Sequence, residues 1–431
     1  MKKINSWGNI FKPDSKSLIQ KIDLKNFNFD KTILGYGLGR SYGDVCLNRN
    51  GIILDTSELD KIIELDEINN ILTVEAGATL KSVLAFLLNH NFFLPVVPGT
   101  QNVTIGGAIA NDIHGKNHHK SGSFGNHLVS FDLLKSDGTI LTCSDEVNSE
   151  LFRATIGGIG LTGIILKAKI KLIKVSNEFI AGEQIKFNSL NEFWKINSKY
   201  DEKYEYTVAW IDCLSKKHDN IRGIFIGGNH SKLNNNKKNL KKITLNLPIT
   251  PPFSFVNNIS LKLFNSFYFN FQKNKKFNSM HYKKFFFPLD IINNWNRAYG
   301  KKGFYQYQFV IPKNNSKEAL YQIVKTIKDQ GQVAALGVLK TFGPLEPRGM
   351  MSFTREGVTM ALDFQNKGKE TLKLFKKLDL LITKYGGAIY AAKDSRMSKK
   401  MFIKSYPNYQ EFLNYKDPKF NSDFFERIFV K

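Results

Sequence analysis

The hydrophobic positions of the first 175 residues form short runs that polar and glycine-rich stretches interrupt. Residues 51–55 and 71–75 each predict a strand, with a turn at 67–70. Thr79 then precedes apolar residues at the helical spacing, so we expect it to cap an amphipathic helix. The apolar face of that helix comprises Leu80, Val83, Leu84, Leu87 and Leu88.

Beyond Val175 the pattern changes to longer strands that alternate with helices. Strands are expected at 204–211, 221–227, 304–312, 338–344 and 358–364. A helix capped by Ser316 should end at Gly331, a second helix should follow the last strand, and residues 233–242 are typical of a polar loop. The buried faces of these helices are Leu320, Ile323, Val324 and Ile327 in the first, and Leu372, Phe375, Leu378 and Ile382 in the second. This pattern predicts an α+β fold.

Three glycine-rich loops, each joined to a predicted strand, lie within the first 165 residues. They occupy residues 32–44, 97–126 and 151–163. Because glycine has no Cβ, its backbone can approach a flat or anionic group within hydrogen-bonding distance. A single loop of this composition is more often a turn than a cofactor site. Three of them favour a cradle for a large phosphate-bearing cofactor.

The third loop satisfies the pattern G-x-G-x-x-G at Gly158, Gly160 and Gly163. A dinucleotide-binding fold of the Rossmann type requires a helix after that pattern, whereas residues 164–175 alternate like a strand. We therefore reject the Rossmann interpretation. Upstream, residues 131–142 alternate around an Asp-Gly pair, which predicts a β-hairpin.

Length and charge restrict the class of protein. A chain of 431 residues is long enough for two domains. Its 62 Lys and Arg against 38 Asp and Glu give a net charge of +24, which attracts phosphates on nucleic acid, on lipid headgroups or on a small substrate. Part of the excess is lysine beside asparagine and reflects composition rather than function. Three widely spaced cysteines and the absence of an apolar leader or spanning run favour a reducing, cytoplasmic location.

Residues 251–288 interleave Phe and Tyr with Lys. This composition suits an interfacial membrane segment, a mobile lid over a substrate, or a surface on which single-stranded nucleic acid stacks. Ordinary core packing is a further alternative. We favour a lid or a membrane contact.

Two further stretches carry candidate chemistry. In the predicted strand 304–312, Gln306 and Gln308 project to one face, where they are either solvated or suited to sugar hydroxyls. Near the carboxyl end, Lys393 follows two alanines and precedes Asp394 and Arg396. A half-buried lysine there would have a lowered pKa and could serve as a base, although Asp394 could equally pair with it or with Arg396.

These motifs together resemble the vanillyl-alcohol-oxidase-type flavoenzymes. The segments that carry the resemblance are G-L-G-R-S-Y-G-D at 37–44, H-G-K-N-H-H at 114–119, S-G-S-F-G-N-H at 121–127, Y-Q-F-V-I-P at 307–312 and A-K-D-S-R at 392–396. The resemblance implies a two-domain α+β fold of the PCMH-type FAD-binding class. It assigns residues 1–178 to an FAD-binding domain, 179–387 to a substrate domain of antiparallel sheet and helices with the lid near 250–288, and 388–431 to a segment that returns to the FAD-binding domain.

The resemblance also implies which residues hold FAD. They are Gly35, Tyr36, Gly37, Leu38, Gly39, Arg40, Ser41, Tyr42, Gly43, Asp44, Val45, Gly99, Thr104, Ile105, Gly106, Gly107, Asn111, Asp112, Ile113, His114, Ile164 and Tyr390, with backbone amides on the pyrophosphate. In related sugar and alditol oxidases a histidine at the place of Arg40 bonds covalently to the flavin. Arginine cannot do so, and we therefore expect non-covalent FAD. No metal site is expected.

The chemistry implied by the resemblance is oxidation of a ring hydroxyl of a polyprenyl-phosphate-linked sugar, as the first half of an epimerisation. Its catalytic residues are Lys393, Tyr42 and His114, and its substrate-binding residues are Lys116, Gln306, Gln308 and Lys340. The expected partners are an anionic lipid-linked phosphosugar, a separate NAD(P)H-dependent reductase and, peripherally, an anionic membrane at the inner membrane surface, with no nucleic acid. An oxygen-using aldonolactone or alditol oxidase and a basic nucleic-acid-binding protein are the alternatives.

Overall fold

A computed structural model of the protein describes residues 4–11, 18–23, 27–214, 221–232 and 245–430. The polar loop predicted at 233–242 lies outside these ranges. The strands are β1 (Leu18–Lys21), β2 (Ile33–Tyr36), β3 (Ile52–Asp55), β4 (Ile62–Asp66), β5 (Ile71–Glu75), β6 (Phe92–Phe93), β7 (Leu128–Leu134), β8 (Ile140–Ser144), β9 (Ile164–Lys171), β10 (Ile173–Lys174), β11 (Phe179–Phe187), β12 (Tyr206–Asp212), β13 (Arg222–His230), β14 (Leu245–Asn246), β15 (Lys275–His281), β16 (Ile292–Asn293), β17 (Phe304–Pro312), β18 (Ala334–Phe342), β19 (Gly357–Gln365) and β20 (Ala388–Ile389).

The α-helices are α1 (Leu80–Asn89), α2 (Ile105–Ala110), α3 (His118–Ser121), α4 (Ser149–Thr155), α5 (Leu190–Tyr200), α6 (Asn258–Phe271), α7 (Tyr282–Phe286), α8 (Ser316–Asp329), α9 (Lys369–Lys384), α10 (Lys399–Ser405), α11 (Tyr409–Leu413) and α12 (Asp423–Phe429). Short 3₁₀ turns lie at Asp44–Cys46, Phe124–His127, Pro288–Ile291, Trp295–Tyr299, Lys313–Asn315 and Ala391–Lys393. Among the described residues, no helix has the length and apolar composition needed to cross a bilayer.

Besides the two-stranded antiparallel pair of β6 and β10, the described amino-terminal part contains two larger sheets. The first is a parallel sheet of order β1-β3-β2, and the second is an antiparallel sheet of order β4-β5-β9-β7-β8. Helix α1 begins as predicted, because the Thr79 hydroxyl accepts from the Ser82 amide and the Thr79 amide donates to the Ser82 hydroxyl. Its residues Leu80, Val83, Leu84 and Leu87 are fully buried. The predicted hairpin is β7 and β8, which pair Leu134 with Ile140.

The second part of the chain builds one antiparallel sheet of eight strands, in the order β15-β11-β13-β12-β18-β19-β17-β20. Helices α8 and α9 pack against each other beside it. Of the eight apolar residues predicted for their buried faces, seven are fully buried and Leu372 is partly buried. Strand β17 has the predicted bounds, and its register places Gln306 opposite Asp363. The α+β class is therefore confirmed, whereas the division into domains at 178 and 387 stays a prediction.

Three local features differ from the sequence pattern. Residues Ile105–Ala110 form a short helix, which Thr104 caps by accepting from the Gly107 amide. Ser316 is the first helical residue rather than the cap, which is Asn315. The basic aromatic segment 251–288 contains helix α6, the edge strand β15 and helix α7, and it ends in Phe285, Phe286 and Phe287, which are buried in the core.

The rejection of a Rossmann fold is confirmed by strand β9, which follows the third glycine loop directly. That loop packs against the end of α2, because the amides of Gly157 and Ile159 donate to the carbonyls of Ile109 and Ala110. The glycine-rich loops are thus in contact with each other. The three cysteines are free thiols.

Candidate active site

The first glycine loop presents a row of unused backbone donors. Within the described part of the chain, the amides of residues 37–41 have no hydrogen-bond acceptor. Gly37 faces the Thr104 side chain so closely that an added Cβ would lie 2.5 Å from the Thr104 hydroxyl, and Gly39 has a positive φ of 59°. Successive free amides of this kind form an anion-binding concavity. The loop is therefore suited to a pyrophosphate.

The second loop borders the site with its backbone but offers fewer free amide donors than the first loop. A Cβ added to Gly99 would meet nothing within 4 Å, so this backbone borders open space. The amides of Ile105, Gly106 and Gly107, by contrast, already donate to Ala78, Ala76 and the Thr104 hydroxyl. Gly106 instead allows close packing, because its Cβ would lie 3.1 Å from the Cβ of Ala76.

A carboxyl-terminal residue reaches the end of this second loop. The Tyr390 hydroxyl donates to the Asn111 carbonyl at 2.7 Å, and the Asn111 amide group donates to the Gly107 carbonyl at 2.8 Å. The Asn111 side-chain oxygen is buried and has no partner among the described residues. This oxygen is a polar atom that a ligand could satisfy.

Several residues expected at the cofactor are held inside the protein. The Tyr36 hydroxyl donates to the Asn5 carbonyl. Asp44 pairs with Arg427, and Asp112 accepts from the Ser123 and Ser352 hydroxyls and from the Gly125 amide. Val45 and Ile164 are buried core residues, while Leu38, Ser41 and Ile113 are half-buried. The carboxylates of Asp44 and Asp112 therefore fix the loops rather than face a ligand.

A hydrogen-bonded row joins the second loop to the eight-stranded sheet. The Thr359 hydroxyl donates to the Phe309 carbonyl. The side-chain amide of Gln308 donates to the Thr359 hydroxyl at 3.3 Å and to the His114 Nε2 at 2.9 Å. Because Gln308 is the donor, the proton of a neutral His114 lies on Nδ1. That atom is 3.0 Å from the Lys340 Nζ, which also donates to the Gly115 carbonyl at 3.1 Å.

The turn at Ala391–Lys393 brings the carboxyl-terminal lysine to the first glycine loop. The Tyr42 amide donates to the Ala392 carbonyl at 3.0 Å, and the Lys393 Nζ lies 4.1 Å from the centre of the Tyr42 ring. Gly43 faces the Asp394 carbonyl so closely that any Cβ would overlap it. Lys393 and Tyr42, which are 351 residues apart in the sequence, are thus neighbours.

Burial lowers the pKa values of three lysines in this region. The pKa of Lys340 falls to about 7, with the charges of Lys116 and Lys393 adding to the effect of burial. Burial lowers the pKa of Lys116 to about 8 and that of Lys393 to about 8, and nearby Asp363 partly opposes the shift at Lys393. Burial and the Lys340 charge lower the pKa of His114 well below its usual value. All four groups can therefore exchange protons or stay neutral near pH 7.

The comparisons with known proteins agree with this arrangement. Residues 11–144 match the family model described as an FAD binding domain. The decaprenylphosphoryl-beta-D-ribose oxidase of Mycolicibacterium smegmatis is 35% identical over 412 residues, which cover 92% of this chain and 89% of that protein. The chain belongs to the decaprenylphosphoryl-beta-D-ribose oxidase family. It is an FAD-dependent oxidoreductase that acts on a CH–OH group, and the expected resemblance and cofactor are confirmed.

More distant relatives share parts of the chain. An uncharacterised protein of Streptomyces coelicolor is 27% identical over 81% of this chain and 99% of its own length. The L-gulonolactone oxidase of Mus musculus is 26% identical over 38% of this chain and 37% of its own length. The lactone oxidase similarity thus covers a minor part of the protein.

The residues present fit the FAD of this family. The free amides of 37–41 supply donors for a pyrophosphate, and Gly99 leaves the adjacent backbone accessible. Arg40 occupies a site beside this row, where its guanidinium donates to the Asn102 carbonyl and stacks 4.1 Å from the Trp7 ring. A guanidinium offers no nucleophile for a covalent flavin bond, which agrees with the expected non-covalent cofactor.

Asp363 is a site residue that the sequence pattern did not reveal. It lies on β19, is fully buried, and accepts from the Gln306 amide at 2.6 Å. Burial raises the pKa of Asp363 to about 7, although Gln306 and Lys393 oppose the shift. A single carboxylate inside the otherwise apolar run V-T-M-A-L-D-F was the signal available in the sequence.

Proposed function

We propose that the protein oxidises a ring hydroxyl of a polyprenyl-phosphate-linked sugar to a ketone, as the first half of an epimerisation. The observation that supports this most directly is the meeting of Lys393 and Tyr42 with His114, Gln308 and Lys340 beside the glycine loops. These residues provide a base, sugar-binding amides and cationic groups in one place. The substrate class is that of the relative named above, whose chain matches this one almost throughout.

Lys393 is the proposed base. Its pKa of about 8 leaves a useful fraction of the amine unprotonated near neutral pH, and the Tyr42 ring below it limits the directions in which it can point. The neutral amine takes the proton of the sugar hydroxyl as hydride leaves the same carbon. FAD, when bound, accepts that hydride. The carbonyl product has then lost two electrons and two hydrogens.

Gln308, His114 and the two lysines Lys116 and Lys340 are proposed to hold the substrate. The Gln308 amide is already oriented by Thr359 and His114, so it meets a hydroxyl at little cost in side-chain entropy. Lys116 donates to the Phe286 carbonyl at 3.1 Å, which fixes its ammonium group. An entering phosphate would raise the pKa of both lysines and be bound by two cations.

The decisive experiment is an anaerobic half-reaction. The FAD-loaded protein is mixed with a polyprenyl-phosphate-linked pentose, and bleaching of the flavin band is recorded between pH 6 and 10. Because the unprotonated amine is the base, we expect the rate to rise with pH through about 8. Lys393→Ala should abolish bleaching while FAD stays bound.

A matched set of substrates separates this proposal from a lactone or alditol oxidase. The phosphate-linked sugar and the same sugar without phosphate are compared in the parent protein and in Lys340→Ala. We expect the variant to lose its preference for the phosphate-linked sugar. Equal bleaching by a phosphate-free lactone would instead support the lactone oxidase alternative. Accumulation of the keto sugar, and its consumption only after an NAD(P)H-dependent reductase is added, would support the epimerisation.

The basic aromatic segment is proposed to contact an anionic membrane. Helix α6 turns its polar residue Asn265 inward, where Asn265 donates to Asp212 at 2.8 Å. Its outward face is apolar and exposed, and comprises Ile259, Leu263, Phe264, Phe267 and Phe271. The exposed lysines beside this face are Lys262, Lys273, Lys275 and Lys276. An apolar stripe flanked by lysines is the arrangement of a helix that lies in a bilayer interface.

Vesicle flotation tests this surface. The protein should float with vesicles that contain anionic lipid at low salt, and less well with neutral vesicles. Replacing Phe264 and Phe267 by Ser should abolish flotation, whereas Leu380→Ser, which removes an equally exposed apolar residue elsewhere, should leave it unchanged. Flotation of the double variant at the level of the parent would contradict the proposal and favour a lid.

A further inference from the structure

Asp363 is buried beside the proposed reaction centre, and one of its oxygens has no partner. The Oδ1 atom accepts from the Gln306 amide at 2.6 Å. The Oδ2 atom is buried and has no hydrogen-bond partner in the described part of the protein. An unsatisfied buried carboxylate oxygen costs free energy, so its retention in a packed strand calls for a role.

The surroundings of Asp363 connect it to both proton-handling residues. Gln306 lies directly opposite Asp363 in the β17–β19 ladder, two residues from Phe304, whose ring centre lies 5.4 Å from that of Tyr42. The charge of Lys393 opposes the rise that burial produces in the pKa of Asp363, and the charge of Asp363 adds to the rise that burial produces in the pKa of Tyr299. Gln306 is therefore the side chain between Asp363 and Tyr42, and the interaction between Asp363 and Lys393 is electrostatic.

Four other titratable groups lie around Lys393. Tyr42 lies beneath its amine on the first glycine loop, and Asp363 faces it from β19. Lys340 on β18 and His114 on the second loop are close enough for their charges to interact with it. Among these neighbours, Asp363 is the one acidic side chain that the described structure places there. It alone can offset the positive charge that Lys393 acquires.

We propose that Asp363 is a positioning residue for the oxidation: it orients Tyr42 through Gln306, and its free oxygen stabilises the ammonium form of Lys393 after proton transfer. This inference rests on the proposed function of Lys393 as the base. The proton passes from the sugar hydroxyl to the Lys393 amine and stays there, FAD when bound would take the hydride, and Asp363 acts in its ionised form, which the ammonium form of Lys393 favours. The carboxylate thus compensates charge without itself gaining or losing a bond.

The first test measures Lys393 without turnover. The FAD-loaded protein is treated with acetic anhydride over a range of pH, and acetylation of Lys393 is followed by peptide mass spectrometry. In Asp363→Asn the loss of the carboxylate charge should move the inflection for Lys393 to lower pH by about one unit. Asp212→Asn is the control, because it removes another fully buried carboxylate, which instead pairs with Arg222 and Asn265.

The second test separates the two links. Tyr42→Phe keeps the hydrogen bond between Gln306 and Asp363, and with it the Asp363 charge, but removes the hydroxyl that Gln306 is proposed to orient. Its acetylation inflection should stay within about 0.3 units of the parent, while flavin bleaching slows by roughly tenfold to a hundredfold, the usual cost of a misplaced catalytic group. The two variants should therefore differ in the acetylation profile and agree in the loss of rate.

An unchanged Lys393 inflection in Asp363→Asn would overturn the inference. If that variant is not recovered folded, Asp363→Ser is measured and the same two outcomes apply. Failure of the proposed function is distinguishable, because it would appear as absence of bleaching in the parent protein with every phosphosugar. The acetylation profile would still report whether Asp363 and Lys393 interact.

Discussion

Arg40 bears on whether FAD is bound covalently or non-covalently. Its guanidinium is half-buried, donates to the Asn102 carbonyl and stacks on Trp7, so it occupies its position beside the free amides of the first loop firmly. Burial lowers its pKa, and nearby Asp290 opposes that shift and helps to keep the group charged. The residue therefore supplies positive charge next to the cofactor and no nucleophile.

The prediction at this scale concerns release of the flavin. Precipitation of the purified protein with trichloroacetic acid should leave the yellow colour in the supernatant, because no covalent bond is available at Arg40. The measurement is the absorption of supernatant and pellet near the flavin band. A coloured pellet after washing would contradict non-covalent binding.

At the scale of elements, the site depends on the contact between the turn Ala391–Lys393 and the loop after β2. The backbone of Tyr42 bonds to Ala392, and Gly43 lies against the Asp394 carbonyl with no room for a side chain. Asp394 in turn accepts from the amides of Arg396 and Met397, which fixes the shape of the turn. The position of the Lys393 amine is therefore set by a backbone contact.

Gly43→Ala tests this contact. The new Cβ would overlap the Asp394 carbonyl, so the turn must shift and displace the Lys393 amine. A displacement of about 1 Å is expected to slow flavin bleaching by roughly a hundredfold. In Gly138→Ala the Cβ meets nothing within 4 Å, and its positive φ of 85° costs only about 1 kcal/mol of stability. Bleaching at the parental rate in Gly43→Ala would show that the contact is not needed.

At the scale of the whole molecule, the carboxyl-terminal helix contacts both the first glycine loop and the turn that carries Lys393. Arg427 on α12 pairs with Asp44 after the first glycine loop at 2.7 Å and with Asp394 after the lysine turn at 3.1 Å. The side chains of both aspartates are 2% exposed. One guanidinium thus neutralises two buried carboxylates that come from opposite ends of the chain.

Arg427→Met should therefore be strongly destabilising. It leaves buried Asp44 without its cation and Asp394 with only the longer contact to Arg396 at 3.7 Å, and we expect the free energy of unfolding to fall by about 3 kcal/mol. The measurement is urea unfolding of the FAD-loaded protein followed by circular dichroism. Lys325→Met is the control, since it removes an exposed pair with Asp329 and should change stability by less than about 0.5 kcal/mol. A loss in Arg427→Met no larger than in the control would refute this role.

Local patterns predicted the elements well because their causes are local. The helical spacing after Thr79 and the alternation in 304–312 each correspond to an element with nearly the predicted bounds. The helix at Ile105–Ala110 was missed, since two glycines in six residues argue against a helix and only the Thr104 cap and the packing on Ala76 stabilise it.

The sequence by itself determined the α+β class, the glycine loops and the flavin family, and it made Lys393 a candidate base, because each depends on residue type and short-range spacing. Only the tertiary structure decided which amides stay free for a ligand, since those of 105–107 donate to Ala78, Ala76 and the Thr104 hydroxyl, whereas those of 37–41 have no acceptor among the described residues. It also decided that Asp363 lies near Lys393. Strand pairing and burial set the pKa of both groups, and neither is encoded in the residues next to them.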